Sequence, residues 1–538
     1  MTHETSKLMK PKHITRIRHF ATAAAVFSAP YYYTTQAHAE DVSTNLDVKA
    51  LIERINGLEE KVKTLEQERE EDKQKADAGA AAADTNKTER INGLEQKVNI
   101  LERNREVDQE KADAAAAEAK KTTPQISIGQ NGFSLKSADG NFGVQLAGVL
   151  QLDSRTFLYA HGLHNDGFLL RRARPILDGT LYRDFDFMFI PDFGTASNGG
   201  ATVTPTIFDA YLNYRYRPEL QFRFGKFKAP VGLEQLQTDV NVIFNERSLV
   251  TDLVPNRDVG AMVHGVAFDG SLSYAAGIFD GDGDARSTSA SAFNDDREFD
   301  GRVFFQPFVT TDIQPLKGFG FGLGGGYGRS STAAGLPNTT GGTLPGYTTD
   351  GQQQFFAYSA NAIANGERWR LSPQGYYYWG PLGFMGEYAI SDQEISLLNA
   401  GGTVTKTGRV ANDAWQVTAS YVLTGENNTY NGVVPDRPFD PSLGRWGAWQ
   451  VAVRYADLDI DRNALAFATP TTAAFTPATS ASAWSAGLNW WLNKNVRINA
   501  SFSRTLFHDG GAPPGVTPTP GVTHQPENAV FTRVQLGF

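Results

Sequence analysis

Residues 169–193 read LLRRARPILDGTLYRDFDFMFIPDF. Leu169, Ala173, Leu177, Leu181, Phe185, Phe187 and Phe189 fall on odd positions. Arg172, Arg174, Asp178, Thr180, Asp184 and Asp186 fall on even ones. A period of two with one apolar and one charged set predicts β-strand with two unlike faces. The period continues across a turn near Tyr182-Arg183, so the stretch predicts a hairpin. A face of leucines and phenylalanines is ill suited to water, and a face of arginines and aspartates to a dry core. A sheet whose apolar side meets lipid and whose charged side lines an aqueous lumen suits both sets.

The pattern recurs. Phe208, Ala210, Leu212, Tyr214 and Tyr216 alternate with Asp209, Tyr211, Asn213, Arg215 and Arg217. Trp484, Ala486, Leu488, Trp490 and Leu492 lead into the turn NKN, and Val496, Ile498, Ala500 and Phe502 return opposite Arg497, Asn499, Ser501 and Ser503. A soluble sandwich would also alternate, but its solvated face would be polar rather than aromatic. Aromatic clusters at segment ends, YYYW (376–379), RWGAW (445–449) and NWW (489–491), suggest interfacial girdles. Short turns such as YRDF and NKN alternate with long segments such as STAAGLPNTTGGTLPGYTTDG (331–351), the asymmetry of periplasmic turns and external loops. A spanning sheet must close, because an open edge in lipid leaves backbone groups unpaired. The final segment, NAVFTRVQLGF, places Val530, Thr532, Val534, Leu536 and Phe538 on one face, with Phe531, Arg533, Gln535 and Gly537 opposite. It is expected to pair with the first strand, with Phe538 as an assembly signal.

Composition agrees with an all-β transmembrane barrel. The chain has 538 residues and no cysteine, which excludes disulfides and thiolate chemistry. With 50 Lys+Arg against 59 Asp+Glu, the net charge of −9 gives no footprint for nucleic acid. Mean hydropathy is −0.35, and no run of apolar residues is long enough for a spanning helix. Barrel strands hide their apolar surface in alternate residues, so this says nothing against a barrel.

Residues 1–39 carry Lys10, Lys12, Arg16 and Arg18, then FATAAAVF, then AHA at Ala37–Ala39. This is the pattern of a secretory signal. Residues 40–121 contain a duplication: ERINGLEEKVKTLEQEREEDKQKADA from Glu53 recurs as ERINGLEQKVNILERNREVDQEKADA from Glu89, 36 residues on. Val48, Leu51, Ile55, Leu58, Val62 and Leu65 step by three and four, and Ile91, Leu94, Val98 and Leu101 repeat the seam. The spacing is one residue more than five heptads, so a break is expected near AGAAAADTN. A narrow apolar stripe needs a partner helix, which predicts an oligomerising coiled coil of about 110 Å if continuous. Residues 122–538 form the barrel region.

Further motifs occur in one order: LRRARPILDGTLYRDFDF, FGKFKAPVGLE, NERSL with PNRDVGAMVHG, DGRVFFQP, GPLGFMGEYA, SYVLTGE, GRWGAWQVAVRYADLDID, GLNWWLNKNVRI and FTRVQLGF. Together they resemble the phosphate-selective porin family (porin O/P type) of Gram-negative outer membranes, over residues 125–538. The resemblance implies a homotrimer of 16-stranded barrels with an anion-selective lumen, and in some members a periplasmic coiled coil. About 26 residues per strand accommodates a strand and its share of two loops.

The family's pore arginines carry over to Arg171, Arg172 and Arg302. Parity alone adds Arg174, Arg215, Arg223, Arg454, Arg497 and Arg533. Arginine suits an anion path because it is always charged and its planar fork matches oxyanions. Arg171 has lipid-facing parity, so a lumen role requires a bulge or a place near the rim. Asp178, Asp184, Asp186 and Asp209 share the lumen parity and compete for these arginines. The resemblance also implies an inward constriction loop after FGKFKAPVGLE, a region containing Lys226, Lys228, Glu246 and Arg247. In phosphate-selective members a lysine precedes the ER pair. Here the stretch is QLQTDVNVIFNER (235–247), with Asp239 and no lysine. Phosphate specificity is in question and anion preference is not.

DGDGDAR (280–286) lacks the glutamate of a calcium loop at position twelve, where Ser291 stands, and reads as a solvated turn. GFGFGLGGGYG (318–328) precedes no helix pattern and reads as small residues in a strand. No cofactor, metal or catalytic site is expected. The function implied is passive diffusion of small anions, phosphate among them. The alternatives are a general diffusion porin and a barrel-anchored structural protein, with peptidoglycan as a candidate partner of the coiled coil. A barrel enzyme would need a nucleophile and base that the sequence does not display.

Overall fold

The computed structural model describes residues 44–77, 84–158, 166–194, 205–281, 283–287, 297–330, 344, 346–469, 477–508 and 526–538. The signal-like leader lies outside the described residues, as do 78–83, where the helix break was expected, and 331–343 of the long loop. The chain divides into two compact units, Met1–Ala119 and Lys120–Phe538.

The first unit contains helices α1 (Thr44–Asp77) and α2 (Asp84–Thr122), one per repeat. Among the described residues four ion pairs link them: Arg54–Asp108 (3.3 Å), Glu59–Arg105 (3.7 Å), Arg69–Glu95 (3.2 Å) and Asp72–Arg90 (3.5 Å). As the number on α1 rises, its partner's on α2 falls, so the helices run antiparallel. A shift of 36 residues carries Arg54 and Asp72 onto Arg90 and Asp108, and Glu59 and Arg69 onto Glu95 and Arg105. The pairs are therefore related by an internal two-fold, which the duplication makes possible. Val62 and Val98, equivalent in the two copies, are the buried seam residues at its centre. The partner that the seam requires is present in the same chain.

The second unit opens with a hairpin, β1 (Gln125–Gly129) and β2 (Gly132–Lys136). Next are β3 (Gly143–Leu158), β4 (Gly167–Leu181), β5 (Phe185–Asp192), β6 (Thr206–Arg217) and β7 (Leu220–Lys228). Then follow β8 (Arg257–Ala267), β9 (Leu272–Phe279), β10 (Glu298–Phe305) and β11 (Phe319–Ser330). A small hairpin, β12 (Tyr347–Thr348) and β13 (Gln354–Phe356), forms a separate sheet. The last strands are β14 (Ala362–Trp379), β15 (Leu382–Leu398), β16 (Val404–Val422), β17 (Ala448–Asp459), β18 (Ser480–Trp491), β19 (Val496–His508) and β20 (Glu527–Gly537).

Strands β3–β11 and β14–β20 pair antiparallel with their chain neighbours, and β20 pairs with β3, which closes a 16-stranded barrel. The backbone N–H and C=O of Phe538 exchange hydrogen bonds with Gly148 at 3.0 and 2.9 Å. A side chain on residue 148 would come within 3.1 Å of the Phe538 ring, so glycine seats the aromatic against the barrel. Beyond that point β2 takes over the edge of β3.

Outward side chains form an apolar belt. On β17 Trp449 stacks on Trp490 at 5.0 Å, Val451 and Val453 follow, and Tyr455 meets Trp415 at 5.3 Å. Rings at both ends with aliphatics between is the girdle pattern of a spanning barrel. The aromatic runs divide by parity: Tyr377, Trp379 and Trp490 take the outward face, whereas Tyr378 and Trp491 are buried inside.

Two bulges alter the expected faces. Gln151 stands opposite Arg172, but Leu152 stands opposite Leu170, so Arg171 is the extra residue. Beyond it Leu170 is exposed on the lipid side, and Leu169 loses the outward place that parity gave it. A second shift leaves Phe208 unpaired between Ile190–Asp209 and Pro191–Ile207. Phe208 consequently turns inward, with the guanidinium carbons of Arg174 and Arg257 at 3.3 and 3.4 Å from its ring centre. A bulge adds one residue to one strand and reverses the parity beyond it.

Candidate functional site

The segment between β7 and β8 folds into the barrel. It carries a short helical turn, Leu233–Leu236, and a 3-10 turn, Leu249–Leu253. Glu387 on β15 fixes its entry by accepting from the Leu233 and Glu234 amides at 2.8 and 2.9 Å. On β11 a side chain at Gly324 would lie 2.1 Å from the Val231 carbonyl oxygen, so the loop's approach requires glycine there. Val231, Leu249, Val250, Leu253 and Val254 pack with Phe355 and Phe356 of the small hairpin against Ala389, Val410, Ala414 and Leu458 of the wall. Inside this part of the barrel both loops and wall are apolar, which strand parity alone did not indicate. Tyr430, in the segment joining β16 and β17, donates its hydroxyl to the Leu233 carbonyl at 2.6 Å.

Most of the candidate arginines anchor these loops. Arg171, released inward by its bulge, donates to Glu246 at 2.7 and 3.0 Å. Glu246 also receives Arg155 at 3.0 Å and Arg533 at 3.4 Å. Burial alone would push its carboxyl up, but Arg171 and then Arg155 and Arg172 hold it well below the usual range. Asp239 takes Arg174, Arg172 at 3.4 Å and Arg247 at 2.7 Å. Arg174 also reaches Asp192 at 2.6 Å. Arg454 bridges Glu234 (3.2 Å) and Asp350 (2.8 Å), and Arg533 grips Asp153 through two bonds of 2.6 and 2.8 Å. Arg497 donates to the Val242 carbonyl (2.9 Å) and Gln535 (3.1 Å). Lys228 donates to the Leu236 and Gln237 carbonyls. Arg172, Arg174, Arg454, Arg497 and Arg533 are all buried.

Six of the nine candidate arginines, Arg171, Arg172, Arg174, Arg454, Arg497 and Arg533, are thus engaged by carboxylates or carbonyl groups. The cause is electrostatic: a guanidinium taken from water needs compensating charge or acceptors, and the loop supplies them. Arg215 pairs with Asp186 at 2.8 Å. Lys226 stands opposite Ala210 and Val259 on the neighbouring strands.

Two arginines differ. Arg223 (β7) and Arg302 (β10) have lumen parity, are half-buried, and among the described residues have no carboxylate within 4.0 Å. Arg223 Nε reaches Asn213 Oδ1 at 3.4 Å, with its guanidinium carbon 4.4 Å from the Tyr211 ring centre. Arg302 Nε donates to Gln374 Oε1 at 2.8 Å, 4.4 Å from the Phe304 ring centre. Three strand steps separate them, about 14 Å of wall. The lane between them carries Met262, His264, Ala275 and Gly277, with Asp300 level with Gly277 on β10.

Sequence reasoning missed Arg155, Glu234, Asp350 and Arg257. Arg155 shares the parity of Gln151 and Asp153 and was findable by the same reading. Asp350 sits in an irregular loop, where parity gives no signal. Asp284 of DGDGDAR is not in a solvated turn: it is buried and bonded to Arg370 and Ser391.

A closed barrel with an apolar outer belt and a charged interior narrowed by infolded loops is the architecture of a transmembrane channel. The family described as phosphate-selective porin O and P matches residues 144–514. Porin O of Pseudomonas aeruginosa is 25% identical over 411 residues, covering 69% of this chain and 85% of that protein. Similar solved structures include the outer membrane channel DcaP of Acinetobacter baumannii (TM-score 0.45, 10% identity, 75% of this chain and 99% of that one). Another is the anion-selective porin from Comamonas acidovorans (TM-score 0.43, 14% identity, 74% and 100%). The chain belongs to the phosphate-selective porin O and P family. It is an outer-membrane porin.

Proposed function

We propose that the barrel conducts small anions by passive diffusion along the β7–β10 wall, with Arg223 and Arg302 as its contact points and phosphate as one permeant anion among others. The observation that carries this is that both are only partly buried and have no carboxylate partner among the described residues, where Arg171, Arg172, Arg174, Arg454 and Arg533 are neutralised. A pair of uncompensated guanidinium groups attracts anions, and their spacing gives two weak sites instead of one trap. The absence of the constriction lysine, with Asp239 occupied by three arginines, favours anion preference without phosphate specificity. Reversal potential in a chloride gradient tests the reading. Anion preference is expected, reduced in Arg223→Gln and Arg302→Gln, and cation preference in the wild type overturns it.

The assembly we propose is a homotrimer with the long loops outside the cell and the helical unit in the periplasm, where the cell wall is within its reach. Residues 1–39 act as the export signal, and Phe538 as the assembly signal. A trimer in mild detergent supports the assembly, and a monomer there overturns it.

A further inference from the structure

Arg302 is fixed by its neighbours. Gln374 donates through Nε2 to the Val231 carbonyl at 2.8 Å and the Ser372 carbonyl at 3.0 Å, which turns its oxygen toward Arg302 Nε. The constriction loop thereby sets the orientation of the guanidinium. Its face lies on Phe304, which is buried, and among the described residues its two terminal nitrogens donate no hydrogen bond. Glu387, on the same side of the lumen, is occupied by the Leu233 and Glu234 amides and the Ser372 hydroxyl. An aromatic surface continues from Phe304. Its ring centre is 5.0 Å from that of Tyr376, and Tyr376 stacks on Tyr430 at 5.4 Å with 26° between the planes. Both tyrosines are half-buried, and the Tyr430 hydroxyl is tied to the Leu233 carbonyl.

We propose that Arg302, Tyr376 and Tyr430 form a binding site for organic carboxylates that carry an aromatic ring. The inference rests on the anion-channel reading above and names the solute class that its Arg302 station takes. A guanidinium with its face on a ring and Nε engaged still presents a two-nitrogen edge, which matches a planar carboxylate. The ring of such a solute stacks on the tyrosines beside it. Chloride, acetate and phosphate use the guanidinium alone. An aromatic pair adds about 0.5–1.5 kcal/mol, or roughly two- to tenfold in affinity. That is enough for preference and too little to trap the solute, as conduction requires.

The test uses the full-length protein in planar bilayers, with benzoate, acetate and phosphate added during chloride conduction. Benzoate is expected to halve the current at a several-fold lower concentration than acetate or phosphate. Tyr376→Leu is expected to bring benzoate to the level of acetate, and Arg302→Gln to weaken both carboxylates. Tyr377→Leu, on the lipid face of the same strand, is expected to leave the order of blockers unchanged. Heat-modifiable gel mobility establishes that each variant is a folded barrel. Equal block by benzoate and acetate in an anion-selective wild type overturns this inference alone, and so does benzoate block that Tyr376→Leu and Arg302→Gln leave intact. Cation selectivity of the wild type overturns the anion-channel reading itself.

Discussion

Arg171 and Glu246, 75 residues apart in sequence, meet through two hydrogen bonds of 2.7 and 3.0 Å. The meeting depends on a bulge that releases Arg171 from its lipid-facing parity. Arg171→Gln is expected to loosen the constriction loop, at a cost of about 1–3 kcal/mol for the lost charged bonds. Larger and noisier single-channel currents, with dissociation at lower temperature on gels, would be the readout. Unchanged current noise would count against the clamp.

Charge reversal separates clamps from path. Arg172 and Arg174 are buried on Asp239 and Asp192, so Glu in their place should disrupt the loop and lower the yield of folded barrel. Breaking a buried pair costs about 3–5 kcal/mol. Arg223→Gln combined with Arg302→Gln should lower anion-to-cation permeability by a few-fold with the barrel intact, more at low salt where screening is weak. Circular dichroism and reversal potentials distinguish the two results.

Asp252, on the constriction loop, accepts from the Thr348 amide at 3.0 Å. Burial, aided by nearby Asp350 and Asp284, pushes its carboxyl up to about 8. A raised carboxyl favours the protonated native state. The stabilisation is complete below pH 4 and is lost as pH rises through 8. Closing events or conductance should therefore change between pH 7 and 9. Asp252→Asn, which keeps the acceptor and removes the proton, should flatten that profile.

The duplicated helices invite a direct test because the chain has no cysteine. With Glu59→Cys and Arg105→Cys, a short bis-maleimide should link α1 to α2 within one chain, with no gain in mass on a denaturing gel. Crosslinked dimers or trimers would instead show pairing between chains. Deleting residues 44–121 should leave conductance nearly unchanged.

Gly57 and Gly93 occupy equivalent mid-helix places, and a methyl group at either would meet nothing within 4 Å. Each alanine replacement should stabilise its helix by about 1 kcal/mol, by removing backbone freedom from the unfolded chain. Thermal melting of the helical signal in the full-length protein provides the measurement.

The alternation in residues 169–193 by itself determined a hairpin with two unlike faces, and the aromatic outward sets, the aromatic clusters at segment ends and the alternation of short turns with long loops pointed on to a barrel. The order of motifs likewise determined the family, and the 36-residue repeat two equivalent helices. Sequence also placed Arg302 and Arg223 on the lumen side, where they are found. It could not say which lumen charges would be neutralised. That depends on where loops 229–256 and 344–359 come to rest, and irregular segments carry no periodicity to read. Nor could it locate the bulges at Arg171 and Phe208, since one unpaired residue leaves the composition of a strand unchanged while reversing its faces. Only the tertiary structure decided that Arg171, Arg172, Arg174, Arg454, Arg497 and Arg533 meet carboxylates or carbonyls of the infolded loops, whereas Arg223 and Arg302 have no carboxylate within 4.0 Å among the described residues. The reason is that burying a guanidinium requires a partner within a few ångströms, and the infolded loops supply such partners to most of the lumen arginines.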